Sequence, residues 1–359
     1  MRVLFFWEKA GLSLDRANPY GGLMARAMSQ VGVELLPGYP EHLCASWLED
    51  NRAQIDVLHL NWPSILYNAT EPKERMSLCT AFISSLARAR FLGYRIVWTV
   101  HNLYPHDSEN PDLDRLARLA ITQLASALIV HCNHARELVR QHFFREAGVF
   151  TIPHGHFADP YPNTISRSEA RRQLGLADDS FVFLFFGTVR PNKGVEQLLE
   201  AFSNISDPDA VLLLAARVYN DYSASLAQEA AKRSSRIVVH TASFFANEDF
   251  QVFYNAADVV VLPFLDILTS GTAITALSFL RPVIVPAIGC LPELIDNTVG
   301  ALYNPHQPGA LEQAMRTMMR RDLESCRPAI CERLKSLSWD LIALQTLQAY
   351  RHESTVIAQ

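Results

Sequence analysis

Short runs of consecutive apolar residues recur along the chain, separated by stretches whose apolar positions fall three or four apart. The first runs are RVLFFW (2–7), DVLHLNW (56–62), RIVWTVHN (95–102) and ALIVHC (127–132). Helical spacing fills the gaps near Gly22–Val31, Pro72–Leu92 and Leu113–Ala125. Unbroken apolar runs mark strands buried on both faces, and with helices between them they predict a parallel sheet covered on both sides. The segment PHGHFADPYPNTISRS (153–168) is rich in Pro, Gly and polar residues, has no period, and reads as a linker. The alternation then restarts with SFVFLFFGTV, a helix over Gly194–Phe202, and the runs AVLLLAARV, RIVVHTASF, DVVVLPF and RPVIVPAI. The expectation is an α/β chain of two Rossmann-like, doubly wound domains, residues 1–155 and 156–337. A terminal amphipathic helix within 338–359 is expected to pack back on the first domain.

Composition sharpens this only in part. A length of 359 residues suits two cores, and 49% apolar against 19% charged residues excludes a disordered chain. A net charge of −5 argues against wholesale nucleic-acid binding. Six scattered cysteines without a C-x-x-C pair suggest reduced thiols in a cytoplasmic protein, and no structural zinc is expected. The apolar start ends in Glu8-Lys9 without a cleavage-site pattern, so it reads as a strand and not as a signal peptide. No run of about 18 apolar residues suggests a spanning helix. Peripheral contact with an anionic inner-membrane face could use Lys73, Arg88 and Arg90, although a solvated helix face explains them better.

In open parallel sheets ligands bind beyond the carboxyl ends of strands, so the loops that follow strands carry the candidate chemistry. GTVRPNKG (187–194) sets Arg190 and Lys193 between glycines, where two cations could neutralise a diphosphate without a metal ion. LTSGT (268–272) offers the amides of Ser270, Gly271 and Thr272 at a helix start, where the dipole favours an anion. Ser and Thr also cap ordinary helices, so the pairing of this turn with the Arg/Lys loop is what points to phosphate. HNLYPHD (101–107) gathers His101, His106 and Asp107 as candidates for a general base or a sugar-hydroxyl ligand. His154 and His156 could join them, but the five lack metal-ligand spacing on one element, and no metal site is expected. Asp112 and Asp114 imitate a metal-binding D-x-D, yet they follow Pro111 at a helix start, where negative charge is favoured anyway.

Taken together, NPYGGLMARAMSQVGVEL, WTVHNLYPHD, VFTIPHGHF, LFFGTVRPNKGVEQLLEAF, NAADVVVLPF, LTSGTAITALSFLRPVIVPAIGCLPELI and SWDLIALQTLQAYR resemble GT-B glycosyltransferases of the family 4 type. The likeness covers nearly the whole chain and is nearest the bacterial exopolysaccharide mannosyltransferase-like branch. The resemblance implies a nucleotide sugar bound mainly by the second domain, an acceptor bound by the first, and reaction in a cleft between them. It places Gly187, Arg190 and Lys193 on the donor diphosphate, Ser270, Gly271 and Thr272 on its phosphates or ribose, and His101 on the transferred sugar. Tyr20, Gly21 and Gly22 fall on the acceptor side.

Two departures from the family pattern stand out. Retaining members carry two glutamates eight positions apart around the glycine turn, and here those places hold Ile267 and Thr275. The arginine that commonly follows the first glycine is replaced by Thr188, with Arg190 two positions on. An inverting transferase would need a side-chain base, for which Asp107 or His106 is the first choice, whereas a retaining one would not. The implied activity is hexosyl transfer, without cofactor, from a nucleoside diphosphate sugar to a glycan or polyprenyl-linked oligosaccharide. GDP-mannose is the first expected donor and UDP-glucose the second. A nucleotide-sugar epimerase or an inactive nucleotide-sugar-binding protein would use the same architecture. A dehydrogenase would need G-x-G-x-x-G after the first strand, which WEKAGLSLDRANPYGG does not supply.

Overall fold

The structure, a computed structural model, describes residues 1–7, 11–14, 18–105 and 108–352, and it divides into two compact units. Unit 1 comprises Met1–Gly155 together with the chain from Trp339 on, and unit 2 comprises His156–Ser338. Each is built on a six-stranded sheet whose paired strands are all parallel among the described residues.

In unit 1 the strands are β1 (Arg2–Phe6), β2 (Glu34–Pro37), β3 (Val57–Leu60), β4 (Arg95–Thr99), β5 (Ala127–Val130) and β6 (Val149–Thr151). They lie in the order β2-β1-β3-β4-β5-β6. The sequence pattern located β1, β3, β4 and β5, which are buried almost throughout. It missed the edge strands β2 and β6, which are short and half-exposed and therefore lack a long apolar run. The helix Trp339–Arg351 buries Trp339, Ile342, Ala343, Ala349 and Tyr350 in this unit, against β4, β5 and the helix Tyr20–Gln30. Tyr350 carries its hydroxyl to His59 Nδ1 at 2.6 Å, and Arg95 Nη1 donates to the Tyr350 carbonyl at 2.7 Å.

Unit 2 contains β7 (Phe181–Thr188), β8 (Ala210–Arg217), β9 (Ile237–Ala242), β10 (Val259–Val261), β11 (Val283–Pro286) and β12 (Gly300–Tyr303). Their order is β12-β11-β10-β7-β8-β9. β12 also went unrecognised in the sequence, for the same reason as the other edge strands. Successive residues of β7 face opposite sides of the sheet. Phe183 and Phe185 enter a core with Leu198, Phe202, Leu212, Leu214 and Met315. Phe186 points the other way, into rings that include Phe250 and Tyr254, and Tyr254 stacks in turn on Phe279 at 4.9 Å.

A buried ionic clamp holds the start of this sheet. Arg171 has no exposed side-chain surface; it donates to Ala177, Asp178, Ser180 and Ala256 carbonyls and pairs with Asp258 at 2.8 Å. Asp258 also accepts from the Val182 amide at 2.7 Å, so one carboxylate joins the helix Arg167–Gln173 to the start of β7. Arg167 also reaches Asp258 at 2.8 Å, so removing Arg171 leaves the carboxylate one cation and deprives four carbonyls of a buried donor. Arg171→Met is therefore expected to lower stability by about 3–5 kcal/mol, read as a fall in the urea midpoint of the transition that reports unit 2.

Candidate functional site

Doubly wound sheets bind ligands where neighbouring strands send their connections to opposite sides. In unit 2 that point lies between β7 and β10, since the chain runs from β7 outward to β8 and β9 and then returns to the other side. The two loops that leave these strands are the ones the sequence singled out. Their backbones are stitched together: the Leu265 amide donates to the Asn192 carbonyl at 2.9 Å, and Asn192 Nδ2 donates to the Asp266 carbonyl at 3.3 Å. Gly194 closes the contact. It holds φ +66°, and a Cβ there would stand 2.0 Å from the Pro263 carbonyl oxygen. Gly187, at φ +145°, has nothing within 4 Å of a Cβ position, so the backbone at the end of β7 is open to a ligand.

Lys193 and Arg190 sit on this stitched platform. The Lys193 ammonium lies 4.5 Å from the Phe264 ring, and the Arg190 guanidinium lies 5.1 Å from the Tyr219 ring. Burial pulls Lys193 down to about 8, and the neighbouring Arg190 charge pushes the same way. A desolvated ammonium beside a second cation is stabilised by whatever anion binds next to it. After β10, Ser270 caps the helix Gly271–Ser278, its hydroxyl accepting from the Ala273 amide at 3.1 Å. The Gly271 and Thr272 amides, first in the helix, have no intrahelical acceptor by helix geometry. Thr275 is buried and donates back to the Gly271 carbonyl at 2.9 Å, and Ile267 is a buried apolar side chain, so neither supplies an acid.

The switch point of unit 1 lies at β1 and β3. Tyr20 starts the helix Tyr20–Gln30, is buried, and stacks on Trp7 at 4.8 Å; burial pushes its hydroxyl pKa well up. Gly21 and Gly22 permit close approach. A Cβ on the first would be 2.8 Å from the Trp7 ring, and one on the second 2.8 Å from the Ser13 backbone. His101, past the end of β4, has Tyr20 at 5.2 Å, Trp7 at 5.6 Å and Trp62 stacked at 4.8 Å.

Both ring nitrogens of His101 are engaged. Nε2 lies 3.0 Å from Asn61 Oδ1 and Nδ1 lies 3.1 Å from His131 Nε2. His131 Nδ1 reaches the Ile152 carbonyl at 3.0 Å, and Asn61 Nδ2 donates to the Phe6 carbonyl at 3.0 Å. One polar belt thus crosses the carboxyl ends of β1, β3, β4, β5 and β6. A second contact lies beneath it, from His59 Nε2 to the Thr99 hydroxyl at 2.7 Å. Burial lowers His131 to about 4, His59 and His154 to about 3, and His101 well below its ordinary value.

The sequence reading missed His59, Asn61 and His131. Three apolar runs end in HLN, VH and VH, and that recurrence of polar residues at parallel strand ends was the available cue. His106 and Asp107 lie outside the described residues. Asp114 is buried in the first turn of the helix Pro111–Leu124 and accepts from the Tyr67 hydroxyl at 2.7 Å, a structural role. Among the described residues no group of three or more His, Cys, Asp or Glu is arranged to hold a metal ion. No described helix is long and apolar enough to cross a membrane. Arg88 pairs with Glu49 and Arg90 donates to the Ser126 hydroxyl, so two of the three side chains of the expected basic face, Lys73 excepted, are engaged within the unit.

The family described as "Glycosyl transferases group 1" matches residues 166–331. The chain is 30% identical over 288 residues to a GDP-mannose:glycolipid 4-beta-D-mannosyltransferase of Xanthomonas campestris, covering 79% of this chain and 73% of the relative. It is 26% identical to a D-inositol 3-phosphate glycosyltransferase of Streptomyces scabiei, covering 93% of this chain and 75% of that one. Among solved structures, the sucrose-phosphate synthase of Thermosynechococcus elongatus superimposes with a TM-score of 0.74 at 20% identity, over 98% of both chains. Anabaena HepE in complex with UDP-glucose gives 0.71 at 18% identity, over 97% of this chain and all of that one. These neighbours share the GT-B fold.

The buried imidazoles set an acid limit on stability. Unfolded histidine titrates near 6.5, while the folded sites hold their rings neutral down to about 4 or 3. Their contribution is complete above pH 6.5 and is lost as pH falls toward 4. Each depressed histidine contributes about 1.4 kcal/mol per pH unit in that window. Denaturant midpoints measured from pH 7 to 4 should fall steadily, and His59→Gln should make the fall shallower.

Proposed function

The chain belongs to the group 1 glycosyltransferases, and from that premise we propose that it moves a hexosyl group from a nucleoside diphosphate sugar to a hydroxyl of a glycan or lipid-linked glycan. Mannose from GDP-mannose is the first donor, because the relative matched over 288 residues is described as a GDP-mannose:glycolipid mannosyltransferase; UDP-glucose is the second. The natural setting is exopolysaccharide assembly by a cytoplasmic protein, in peripheral contact with the membrane that carries the lipid-linked acceptor.

The observation that carries this reading is the switch point between β7 and β10. There two cations and a helix N-terminus stand on loops hydrogen-bonded to each other. The diphosphate is the natural occupant. Arg190 and Lys193 neutralise the charge that develops on it as the sugar leaves, and the amides of Ser270, Gly271 and Thr272 hold phosphate or ribose oxygens. Gly187 lets the backbone approach, and Thr275 closes the back of the turn. No resident cofactor or metal is required in this scheme. On the acceptor side Tyr20, Gly21 and Gly22 shape the edge of unit 1. His101, His106 and Asp107 supply the candidates for the base of an inverting transfer, the stereochemistry favoured by the apolar and hydroxyl residues at positions 267 and 275.

Lys193→Ala is expected to lower kcat by about 10²–10³, in an assay of nucleoside diphosphate release that proceeds in the presence of a chelator. Wild-type donor KM should rise as pH passes upward through about 8, where the Lys193 ammonium deprotonates. Lys193→Arg should abolish that rise, because a guanidinium stays charged. A full requirement for a divalent cation, or a Lys193→Ala enzyme with normal turnover, contradicts the scheme. In a thermal-shift panel of GDP, UDP, ADP and TDP, GDP should stabilise most.

A further inference from the structure

A pocket of unit 1 stands outside the scheme above. Its volume is about 170 Å³, it is partly open to solvent, and it lies where the connections after β3 and β4 meet the helices Pro72–Phe91 and Pro111–Leu124. Both connections start from the carboxyl ends of their strands, as His101 does.

The floor of this pocket is a fixed carboxylate. Asp114 is only 7% exposed and is held from two sides, Oδ1 by the Tyr67 hydroxyl at 2.7 Å and Oδ2 by the Ser108 hydroxyl. The Tyr67 oxygen accepts in turn from Arg118 Nη1 at 3.2 Å. A carboxylate oxygen can accept twice, so the packing role of Asp114 leaves acceptor capacity on both. Arg75 forms a wall: its Nε donates to the Ala69 carbonyl at 2.9 Å and its Nη2 to Glu109 at 2.6 Å. Arg75 Nη1, the Ser64 hydroxyl and the Asn68 amide line the same space with no hydrogen-bond partner among the described residues, and none of them is sealed from solvent. Ile65, a large apolar residue left half-exposed, and Pro105 add an apolar face.

Charge and size select the ligand. Glu109 is paired with Arg75, and Asp114 reaches Arg118 through one hydroxyl, so two carboxylates are matched by two guanidinium groups. An anionic ligand would meet both acids, and a bare cation would meet Arg75. The unspent groups include donors and acceptors beside an apolar face, which complements a neutral sugar ring with hydroxyls at its rim and C–H bonds on its face. A volume of about 170 Å³ suits one ring and not a nucleotide, since sites for larger ligands begin at about 300 Å³.

We propose that this pocket is a subsite for one neutral sugar unit of the acceptor glycan, with Arg75, Ser64 and Asn68 donating to its oxygens, Asp114 accepting from its hydroxyls and Ile65 against its C–H face. The assignment of that sugar to the acceptor rests on the transferase reading, whereas the preference for a neutral ring rests on the pocket itself. No bond is made or broken there; the pocket holds the glycan.

The probes are methyl α-mannoside and methyl β-glucoside, with glucuronate and glucose 6-phosphate as charged controls, followed by saturation-transfer difference NMR on the full chain without nucleotide. Both glycosides should bind, and the charged sugars should bind at least about tenfold more weakly, the cost of facing an unmatched acid. Ser64→Trp fills the pocket and should abolish the glycoside signal at an unchanged thermal midpoint. Asn68→Ala changes an exposed side chain, keeps the fold whatever becomes of the first variant, and should raise the glycoside Kd about threefold to tenfold, the loss of one hydrogen bond. No signal from either glycoside, a signal that survives in folded Ser64→Trp, an unchanged Kd in Asn68→Ala, or charged sugars bound as tightly overturns the proposal. A chain that releases diphosphate from a donor yet binds neither glycoside sinks this inference alone. One that binds both glycosides in the pocket but neither binds nucleotide nor releases diphosphate sinks the transferase reading, and the acceptor assignment with it.

Discussion

A parallel sheet runs out of backbone partners at one edge, and this constraint organises both units. Every strand delivers its carboxyl end to the same side, so the terminal carbonyls and amides must find partners among loops, side chains or ligands. Unit 1 answers with side chains: Asn61, His101 and His131 join the ends of five strands in one chain of hydrogen bonds. Unit 2 answers with backbone: the loops after β7 and β10 bond to each other and leave cations and helix amides on their outer surface. The first solution is ring-packed. The second is built of backbone and carries two cations, each close to an aromatic ring.

The two sheets share a parallel plan and differ in where the winding reverses. In unit 1 the reversal falls at β1 and β3, bringing Trp7, Tyr20 and Trp62 together, and in unit 2 it falls at β7 and β10. That difference puts aromatic and imidazole groups at the strand ends of one sheet and two cations and a helix start at those of the other. It also shows why the glycines are unequal. Gly194 lets two loops touch, Gly22 lets a loop lie on a helix, and Gly187 leaves space that a ligand can enter.

Much of this was legible in the residues. Long central strands announce themselves because burial on both faces requires unbroken apolar runs, and the Arg190–Lys193 loop was visible because two cations between glycines are unusual at a strand end. The edge strands β2, β6 and β12 were not, since a half-exposed three- or four-residue strand has no pattern distinct from a loop. The belt was hidden for another reason. His59, Asn61, His101 and His131 come from three separate apolar runs, and only strand order shows that those ends are neighbours. Asp114 illustrates the converse, a residue whose spacing imitated a metal motif and whose burial against Tyr67 gives it a packing task.

The Tyr350 hydroxyl bound to His59 has a consequence for how the molecule is made. The two partners are 291 residues apart, with all of unit 2 translated in between. At about 5–20 residues per second, a ribosome needs roughly 15 to 60 seconds to go from one to the other. Once Tyr303 has been made the second sheet has every strand it needs, while the first sheet still stands without the helix Trp339–Arg351. Biogenesis therefore runs against reading order, with the later unit closing on itself first and the earlier one waiting for its last helix to emerge.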